Sequence, residues 1–560
     1  MSMICVPIMV EEANNALLDA SLAQAKGADL IEYRVDLLFE KRDDESLETR
    51  TTRVLDLVEQ SPLPCIVTCR PQWEGGDYHG EDTDRINLYE SLCTSEFPPA
   101  YIDVELLTYT HSAETKERIG DVVSTESTDG FPATRLILSS HDFVGRPSDL
   151  TRKIIAMNEE PACSVVKIAY RARSIRDNLE VFEILRDRQK PTIALCMGEF
   201  GLMSRVLAPK FGGLLTFASL RDEEMTAPGQ PTIDELLGLY RFRSITATTK
   251  VYGIIGWPVT QSMSPLVHNA GFEKIGWDGV YVPMPVEGSY ESFKATIATL
   301  ATNPAFGFAG ASVTIPHKTH LTRLIMDLSE NQRLNLKTAD PSNLYSTIEA
   351  ANTISDICCD QRGSEFGFVV NNTDSIAIQD LVTEMHSTGK ARIIGTGGVA
   401  RSAIFSLASN GTTVEILSRE ITRSINLYTN LDERLFDLPD TGKILVVDPS
   451  MSLESTCSMF INCTPVGMTG GPDPDGLSIP IPDMPPLPPE TVFFDTVYNP
   501  IETPMLKAAK ERGYRTIDGV QMFVKQAAAQ FELWTGEPAP IELFDQLVRT
   551  KLSTAESESL

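Results

Sequence analysis

The chain has 560 residues, 42% hydrophobic and 22% charged, too many for one core and ordinary for a globular protein of two to four domains. Its 77 acidic side chains against 48 basic ones leave a net charge of −29, which disfavours nucleic acid and anionic membranes as partners and leaves small molecules. No stretch has the length of a transmembrane helix, the ten cysteines form no CxxC pair and the seven histidines no HExxH spacing, so no metal site is expected. The opening MSMICVPIMVEEA runs straight into a strand pattern, without the charged leader and cleavage site of a signal peptide. A reducing, cytoplasmic setting is expected, and a plastid one only if a leader has been removed.

Short β-rich runs recur through the first 220 residues: ICVPIMV from Ile4, DLIEYRVDLL from Asp29, PCIVTCR from Pro64 and YIDVEL from Tyr101. TRLILSSH from Thr134, CSVVKIAY from Cys163, PTIALCM from Pro191 and LLTFASL from Leu214 complete a set of eight. Stretches with helical spacing separate most of them, so the pattern predicts a (β/α)8 barrel over residues 1–243, with its site at the C-terminal strand ends. Polar residues gather there. Glu32 and Arg34 lie in the second strand, Arg70 and Glu74 at and after the third, and His141-Asp142 end the fifth. Lys167 interrupts the apolar sixth, Arg205 follows the seventh and Gln230 the eighth. A lysine in such a run is paired, reaches solvent at a strand end, or is neutral with a lowered pKa that makes its amine a nucleophile. Singly, each of these residues reads as solvated or salt-bridged. Together on one rim they read as a site, because a barrel core favours apolar layers.

EYRVD, TCRPQWEGG, SSHDF, VVKIA, MGEFGLMSR and APGQ, in this order, resemble the motifs of type I 3-dehydroquinate dehydratase over about the first 240 residues. The resemblance implies that Lys167 forms a Schiff base with the substrate ketone, that His141 is the general base and acid, and that Glu74 orients it. It further implies that Arg205 clamps the substrate carboxylate, while Glu32, Arg34, Arg70, Thr226 and Gln230 address hydroxyls and carboxylate. Thr226 stands where that family often has serine.

After a linker placed at Ser244 to Lys250 the pattern restarts. ARIIGTGGVARSAIFSLA, from Ala391, is a strand, a glycine turn (Gly395, Gly397, Gly398) and a helix opening with small residues, the arrangement that sets a pyrophosphate on a helix N-terminus. Many tight βα turns share it. The next strand adds information: it ends in Ser418-Arg419, with Arg423 one turn on and no acid at the strand end, which suits the 2′-phosphate of NADP, although Glu420 is close. Around this unit lie GWPVTQSMSPLVHN, GFAGASVTIPHK, EAANTI, NNTD, INCTPVGM, FDTVYNPIETPML and DGVQMFVKQA, which resemble shikimate dehydrogenase over about 310 residues.

The resemblance implies a substrate domain at 251–370, completed by C-terminal helices at about 520–553, and a Rossmann domain at 371–519 binding NADP(H). It assigns the substrate carboxylate to Ser262 and Ser264, ring hydroxyls to Thr314, Asn352, Thr373 and Gln526, a pocket wall to Tyr498, and the proton-handling pair to Lys318 and Asp374. Cofactor contacts fall on Gly395, Thr396, Gly397, Gly398, Val399, Ala400, Ser418, Arg419, Arg423, Thr464, Pro465, Val466, Gly519 and Met522. Three departures stand out: Ser312 where asparagine is usual, NNTDSIAIQD without the usual glycine after the aspartate, and SRE for asparagine-arginine-threonine. The joint expectation is an α/β enzyme for two consecutive steps: dehydration of 3-dehydroquinate, then NADPH reduction of 3-dehydroshikimate to shikimate. A quinate-oriented dehydrogenase, or a regulator with retired sites, is the rival. Retention of Ser264 and Thr314 argues against the first, and of Lys167, His141, Lys318 and Asp374 against the second.

Overall fold

A computed structural model describes residues 2–40, 45–123, 133–221, 229–330, 350–359, 366–385, 389–435, 442–448 and 456–558. The chain divides into two compact units that meet in sequence between Thr249 and Lys250. Among the described residues no helix is long and apolar enough to cross a membrane.

The first unit is an eight-stranded parallel sheet of β1 (Met3–Met9), β2 (Leu30–Arg34), β3 (Cys65–Thr68), β4 (Tyr101–Glu105), β5 (Arg135–Asp142), β6 (Cys163–Arg171), β7 (Thr192–Met197) and β8 (Leu215–Phe217). Neighbours in sequence pair from β1 to β7, and β8 returns to β1. The backbone N–H of Leu214 reaches the Thr192 carbonyl at 2.9 Å and so draws the two free edges together into a nearly closed barrel. Strand side chains alternate faces, so residues two apart share one. Leu30, Ile66, Tyr101, Ile137, Val165, Ile193 and Leu215 form an apolar interior layer. Two residues on along β2 to β6 come Glu32, Thr68, Asp103, Ser139 and Lys167, so the next layer toward the active rim is polar.

The second unit has two sheets. A mixed five-stranded sheet orders β10 (Gly279–Pro285), β9 (Lys250–Gly256), β11 (Phe308–Val313), β12 (Thr353–Cys359) and β13 (Phe366–Asn371). Helix α1 (Ser264–Ile275), with Pro265 in its first turn, and α2 (Lys318–Glu330) follow β9 and β11. Helix α3 (Thr373–Glu384) leads into a six-stranded parallel sheet. Its strands are β14 (Ala391–Ile394), β15 (Val414–Leu417), β16 (Ile444–Val446), β17 (Met459–Asn462), β18 (Val492–Asp495) and β19 (Arg515–Ile517). Their order β16-β15-β14-β17-β18-β19 is doubly wound, with its switch point between β14 and β17, where α4 (Gly398–Ala408) begins. The C-terminal helices α5 (Gly519–Thr535) and α6 (Ile541–Glu558) return to the first sheet: Val520, Val524, Phe531, Phe544 and Val548 share a core with Tyr252, Val267 and Tyr281.

Residues 244–249, read from sequence as linker, are held to the barrel. The buried Lys210 ammonium donates to the carbonyls of Ala247 at 3.0 Å and Thr249 at 2.8 Å. An ammonium buried without acceptors is costly. A fragment 1–249 is therefore expected to fold alone, and truncation to 1–243 to lower its stability by about 1.5–3 kcal/mol. Urea unfolding of the two fragments checks this, and equal midpoints would show that Lys210 finds other acceptors.

Candidate active sites

The polar layer of the barrel is a compact network of alternating charge. Lys167 lies between the interior residues Val165 and Ala169 and is 4% exposed. Its Nζ donates to Asp103 Oδ2 at 2.7 Å and Glu32 Oε1 at 3.0 Å and sits 4.7 Å from the Phe217 ring centroid. Arg70 lies alongside, its Nη2 2.9 Å from Asp103 Oδ1 and its Nη1 within 3.0 Å of Glu74, Glu105 and Ser139. Behind it the fully buried Arg85 pairs with the other oxygen of Glu105. Burial alone pushes the Lys167 pKa down, but Asp103 and Glu32 outweigh it and hold the amine above its ordinary value. This corrects the lowered-pKa reading of the sequence: in the free protein Lys167 is an ammonium, paired inside the barrel and away from solvent. Burial likewise works against the Asp103 carboxylate, and Arg70 and Lys167 outweigh it to hold that pKa well below the usual range.

His141, on β5 one turn of the pleat beyond Ser139, sets Nδ1 3.2 Å from Glu74 Oε2 and its backbone N–H 3.3 Å from Glu74 Oε1. Burial raises the Glu74 pKa and Arg70, 3.0 Å away, works against it; as a carboxylate Glu74 only accepts, so Nδ1 then carries the proton and Nε2 is the basic nitrogen. Burial, with Arg70 and Lys167 nearby, holds the imidazole pKa well below 6.5, so His141 is neutral at physiological pH. Arg205 is 2% exposed, with no carboxylate against it among the described residues, and burial pulls its pKa down to about 10. A buried guanidinium without a counterion fits an anionic substrate group. Glu32, Arg34, Arg70, Glu74, His141, Lys167, Arg205 and Gln230 line one cavity of about 100 Å³. Arg34 is tied to Asp36, 2.6 Å from Nη2 to Oδ2. Thr226 lies outside the described residues.

Sequence reading missed Asp103, Glu105 and Ser139. The signal was present in YIDVE, where alternation puts both acids on the face of Tyr101 once the strand is known to line a barrel.

In the second unit, Lys318 at the start of α2 donates through Nζ to Asp374 Oδ2 in the first turn of α3. Asn372 caps that helix, its Oδ1 taking the Ser375 N–H at 3.0 Å, and so fixes where Asp374 points. Ser262, Ser264, Ser312, Thr314, Lys318, Tyr498 and Gln526 line a cavity of about 230 Å³. Asn352 and Thr373 are buried next to it: Asn352 Oδ1 accepts from the Thr373 N–H at 2.8 Å and hydroxyl at 3.1 Å.

A cleft of about 720 Å³ opens at the switch point, lined by Gly395, Thr396, Gly397, Ser418, Arg419, Arg423, Thr464, Pro465 and Val466. Gly395 has φ +113, and a Cβ there would come within 2.9 Å of the Cys463 carbonyl. Gly397 faces open space, and the α4 N-terminus follows. These features fit a dinucleotide pyrophosphate. Arg419 is exposed, whereas Arg423 is held by Glu420, with contacts of 2.9 and 3.1 Å. Not all the sequence-assigned cofactor residues line the cleft. Ala400 and Met522 are buried in the core of the parallel sheet and Val399 packs against it. Gly519 is required by the backbone, since a Cβ there would meet the Val497 carbonyl at 2.1 Å. Among the described residues no cluster of His, Cys, Asp or Glu has metal-binding geometry.

Fold and sites define a two-enzyme chain: a barrel with a buried, carboxylate-paired lysine, followed by a nucleotide-dependent oxidoreductase unit. Residues 4–247 match the type I 3-dehydroquinase family, 254–335 the shikimate dehydrogenase substrate binding domain, and 519–549 the shikimate 5′-dehydrogenase C-terminal domain. A bifunctional 3-dehydroquinate dehydratase/shikimate dehydrogenase of Arabidopsis thaliana, chloroplastic, is 35% identical over 98% of this chain and 84% of its own length. The shikimate biosynthesis protein AroDE of Chlamydia pneumoniae is 26% identical over 90% of each. A crystal structure of a shikimate dehydrogenase in complex with NADP+ is 31% identical, covers 55% of this chain and 97% of its own, and has a TM-score of 0.45. The chain belongs to the bifunctional 3-dehydroquinate dehydratase/shikimate dehydrogenase family.

Asp103 neutralises two buried cations, so Asp103→Asn is expected to cost the barrel about 3–5 kcal/mol at pH 7. A carboxylate held low contributes its stability above its unfolded pKa and loses it as pH falls toward the depressed folded value. The gap between native and variant should thus narrow by up to about 1.4 kcal/mol per pH unit below about pH 4. Denaturation at pH 7 and pH 3 reads it, and a gap independent of pH would mean that the charge of Asp103 is not what holds the network.

Proposed function

We propose that the two sites act in sequence on one carbocycle, with the residues of each site in the roles given below. The chain is a bifunctional 3-dehydroquinate dehydratase/shikimate dehydrogenase of the shikimate pathway, and its cofactor is NADP(H). The observation that carries the assignment of roles is the pairing, in one chain, of a buried Lys167–Asp103 network beside Arg205, which has no carboxylate partner among the described residues, with a Lys318–Asp374 pair beside a nucleotide cleft.

In the barrel, Arg205 takes the substrate carboxylate and Arg34, Glu32 and Gln230 the hydroxyls. Lys167 starts as an ammonium, so before attack it gives up a proton to His141 Nε2, and this proton leaves with the carbonyl oxygen in the water lost on iminium formation. The incoming ketone displaces the lysine from Asp103 and Glu32, and the neutral amine adds to the carbonyl carbon. Loss of water leaves an iminium, whose positive charge is held by the same two carboxylates. His141 Nε2 takes the acidified C–H proton and returns it to the departing hydroxyl, while Glu74 holds the tautomer. Hydrolysis releases 3-dehydroshikimate and restores Lys167. The low pKa of His141 keeps it a base throughout the neutral range.

In the second unit, Gly395, Gly397 and the α4 N-terminus hold the pyrophosphate, Thr464 to Val466 the other wall, and Arg419 the 2′-phosphate. Bound NADPH supplies the hydride. Ser262 and Ser264 hold the substrate carboxylate, and Lys318, oriented by Asp374, hands a proton to the carbonyl oxygen as it becomes a hydroxyl.

Borohydride added with 3-dehydroquinate is expected to trap a stable adduct on Lys167, found by peptide mass analysis. Lys167→Ala should abolish both adduct and dehydration while leaving shikimate oxidation unchanged, and full dehydratase activity in this variant would end the Schiff-base assignment. For the cofactor, Arg419→Ala should raise the KM for NADPH about 10-fold and hardly change that for NADH. Glu420→Gln frees Arg423 and should lower the NADPH KM. Steady-state kinetics with both cofactors check the pair, and equal effects of Arg419→Ala on NADPH and NADH would remove that arginine from the phosphate site.

A further inference from the structure

Ser312, where related dehydrogenases usually have asparagine, belongs to a chain of hydrogen bonds beneath the dehydrogenase pocket. Tyr281 Oη lies 2.7 Å from Ser312 Oγ, and Ser312 Oγ 2.7 Å from Gln530 Oε1. Gln530 Nε2 reaches Thr353 Oγ1 at 2.9 Å and the Asn352 carbonyl at 3.3 Å. Thr353 Oγ1 reaches Asn352 Oδ1 at 2.9 Å, and the Thr373 backbone N–H meets the same oxygen at 2.8 Å. None of these six side chains is more than 4% exposed, apart from the cavity face of Ser312.

Backbone groups at the ends dictate the polarity of the chain. A carbonyl can only accept, so the Gln530 atom against the Asn352 carbonyl is its nitrogen, and the atom against Ser312 is its oxygen. That oxygen can only accept, so the Ser312 proton is committed to it. Ser312 must then accept from the Tyr281 phenol, which burial keeps protonated and which also lies against Ser264. His268, buried and stacked on Tyr281 with ring centroids 4.6 Å apart, fixes the ring that makes this contact. At the other end Thr373 N–H can only donate, so Asn352 presents Oδ1 to it, and Nδ2 has no partner among the described residues. The usual asparagine offers a ligand both donor and acceptor. Ser312, with its proton spent, offers only a lone pair.

Resting on the dehydrogenase reading, we propose that Gln530 is a positioning residue for substrate specificity. By consuming the Ser312 proton it makes this wall of the pocket acceptor-only, so the substrate must present a hydroxyl there as donor. A ring hydroxyl can donate to Ser312 and still accept elsewhere, whereas a ring fluorine, carbonyl or ether oxygen at the same place cannot donate.

The test is oxidation and binding of shikimate against its 4-deoxy-4-fluoro and 5-deoxy-5-fluoro analogues, each of which keeps an acceptor and loses a donor. For the analogue altered at the ring position facing Ser312, native kcat/KM should fall about 10- to 100-fold relative to shikimate, with a parallel loss of affinity by calorimetry. Gln530→Leu releases the Ser312 proton, which can then turn to the fluorine, so the discrimination should shrink at least about fivefold while kcat with shikimate changes little. Ser312→Asn, which restores a donor without touching Gln530, should shrink it as well and serves if the Gln530 variant is unstable. Tyr281→Phe leaves the proton on Gln530 and should preserve the discrimination. A merely structural Gln530 would lower activity on all ligands alike, and unchanged selectivity in both Gln530→Leu and Ser312→Asn overturns the proposal. Failure of the native chain to bind or oxidise shikimate itself would overturn the dehydrogenase reading, on which the proposal stands.

Discussion

The barrel is organised around the cost of holding a lysine ammonium where water does not reach. Lys167 has only protein atoms to replace its hydration, and Asp103 and Glu32 do so. Two carboxylates for one ammonium would leave an excess negative charge, and Arg70 supplies the balancing cation. Arg70 in turn needs Glu105 and Glu74, and Glu105 needs Arg85. Each partner is fixed by the demand of the one before it, and the series ends at Asp82, which is solvated. Such a network is weak evidence for net stability, because desolvation offsets most of the Coulomb attraction. Its consequence is geometric: five strands present their polar side chains in one layer, with little freedom to rearrange.

In the Schiff-base role proposed for Lys167, a lysine with a raised pKa has to become a nucleophile. Activation by a lowered resting pKa is one route, and displacement of the ammonium from its carboxylates by an incoming carbonyl is another. On the proposed mechanism the second would keep the amine protonated until substrate arrives, and would leave Asp103 and Glu32 beside the iminium. The neutral His141 beside it is the complement: one cation is held ready, and one base is kept uncharged by that cation and by burial. The environment thus drives the two pKa values apart, which separates the acid and base roles.

The second unit solves its problem with hydrogen-bond polarity more than with charge. Among the described residues its pocket has one ion pair, Lys318–Asp374, while Ser312, Asn352 and Thr373 have donors and acceptors fixed by contacts behind them. Ser312 illustrates how a substitution on the pocket wall is compensated from behind, by Gln530 on a C-terminal helix more than two hundred residues away in sequence. The cofactor cleft shows the opposite economy: Arg423 is engaged by Glu420, and Arg419 stands exposed at its mouth.

The eight strand patterns, the glycine turn after β14 and most pocket residues were legible in the sequence, because they depend on alternation, local turn geometry and ordered motifs. Lys167 was visible as a charge within an apolar strand, and His141, Arg205, Lys318 and Asp374 as residue types at or near strand and helix ends. What the sequence left open were properties that depend on neighbours distant along the chain. Whether Lys167 is neutral or charged was decided by Asp103, 64 residues earlier, because electrostatic energy follows distance in space. That the side chains of Ala400 and Met522 belong to the core of the parallel sheet, with Val399 packed against it, was decided by tertiary packing. The extent of the barrel was decided by Lys210 and its need for the carbonyls of 247 and 249. Local pattern specified the elements and the chemistry they carry. Tertiary packing alone set protonation, hydrogen-bond polarity and the boundary, since each is an energy of burial that does not exist until the chain has folded.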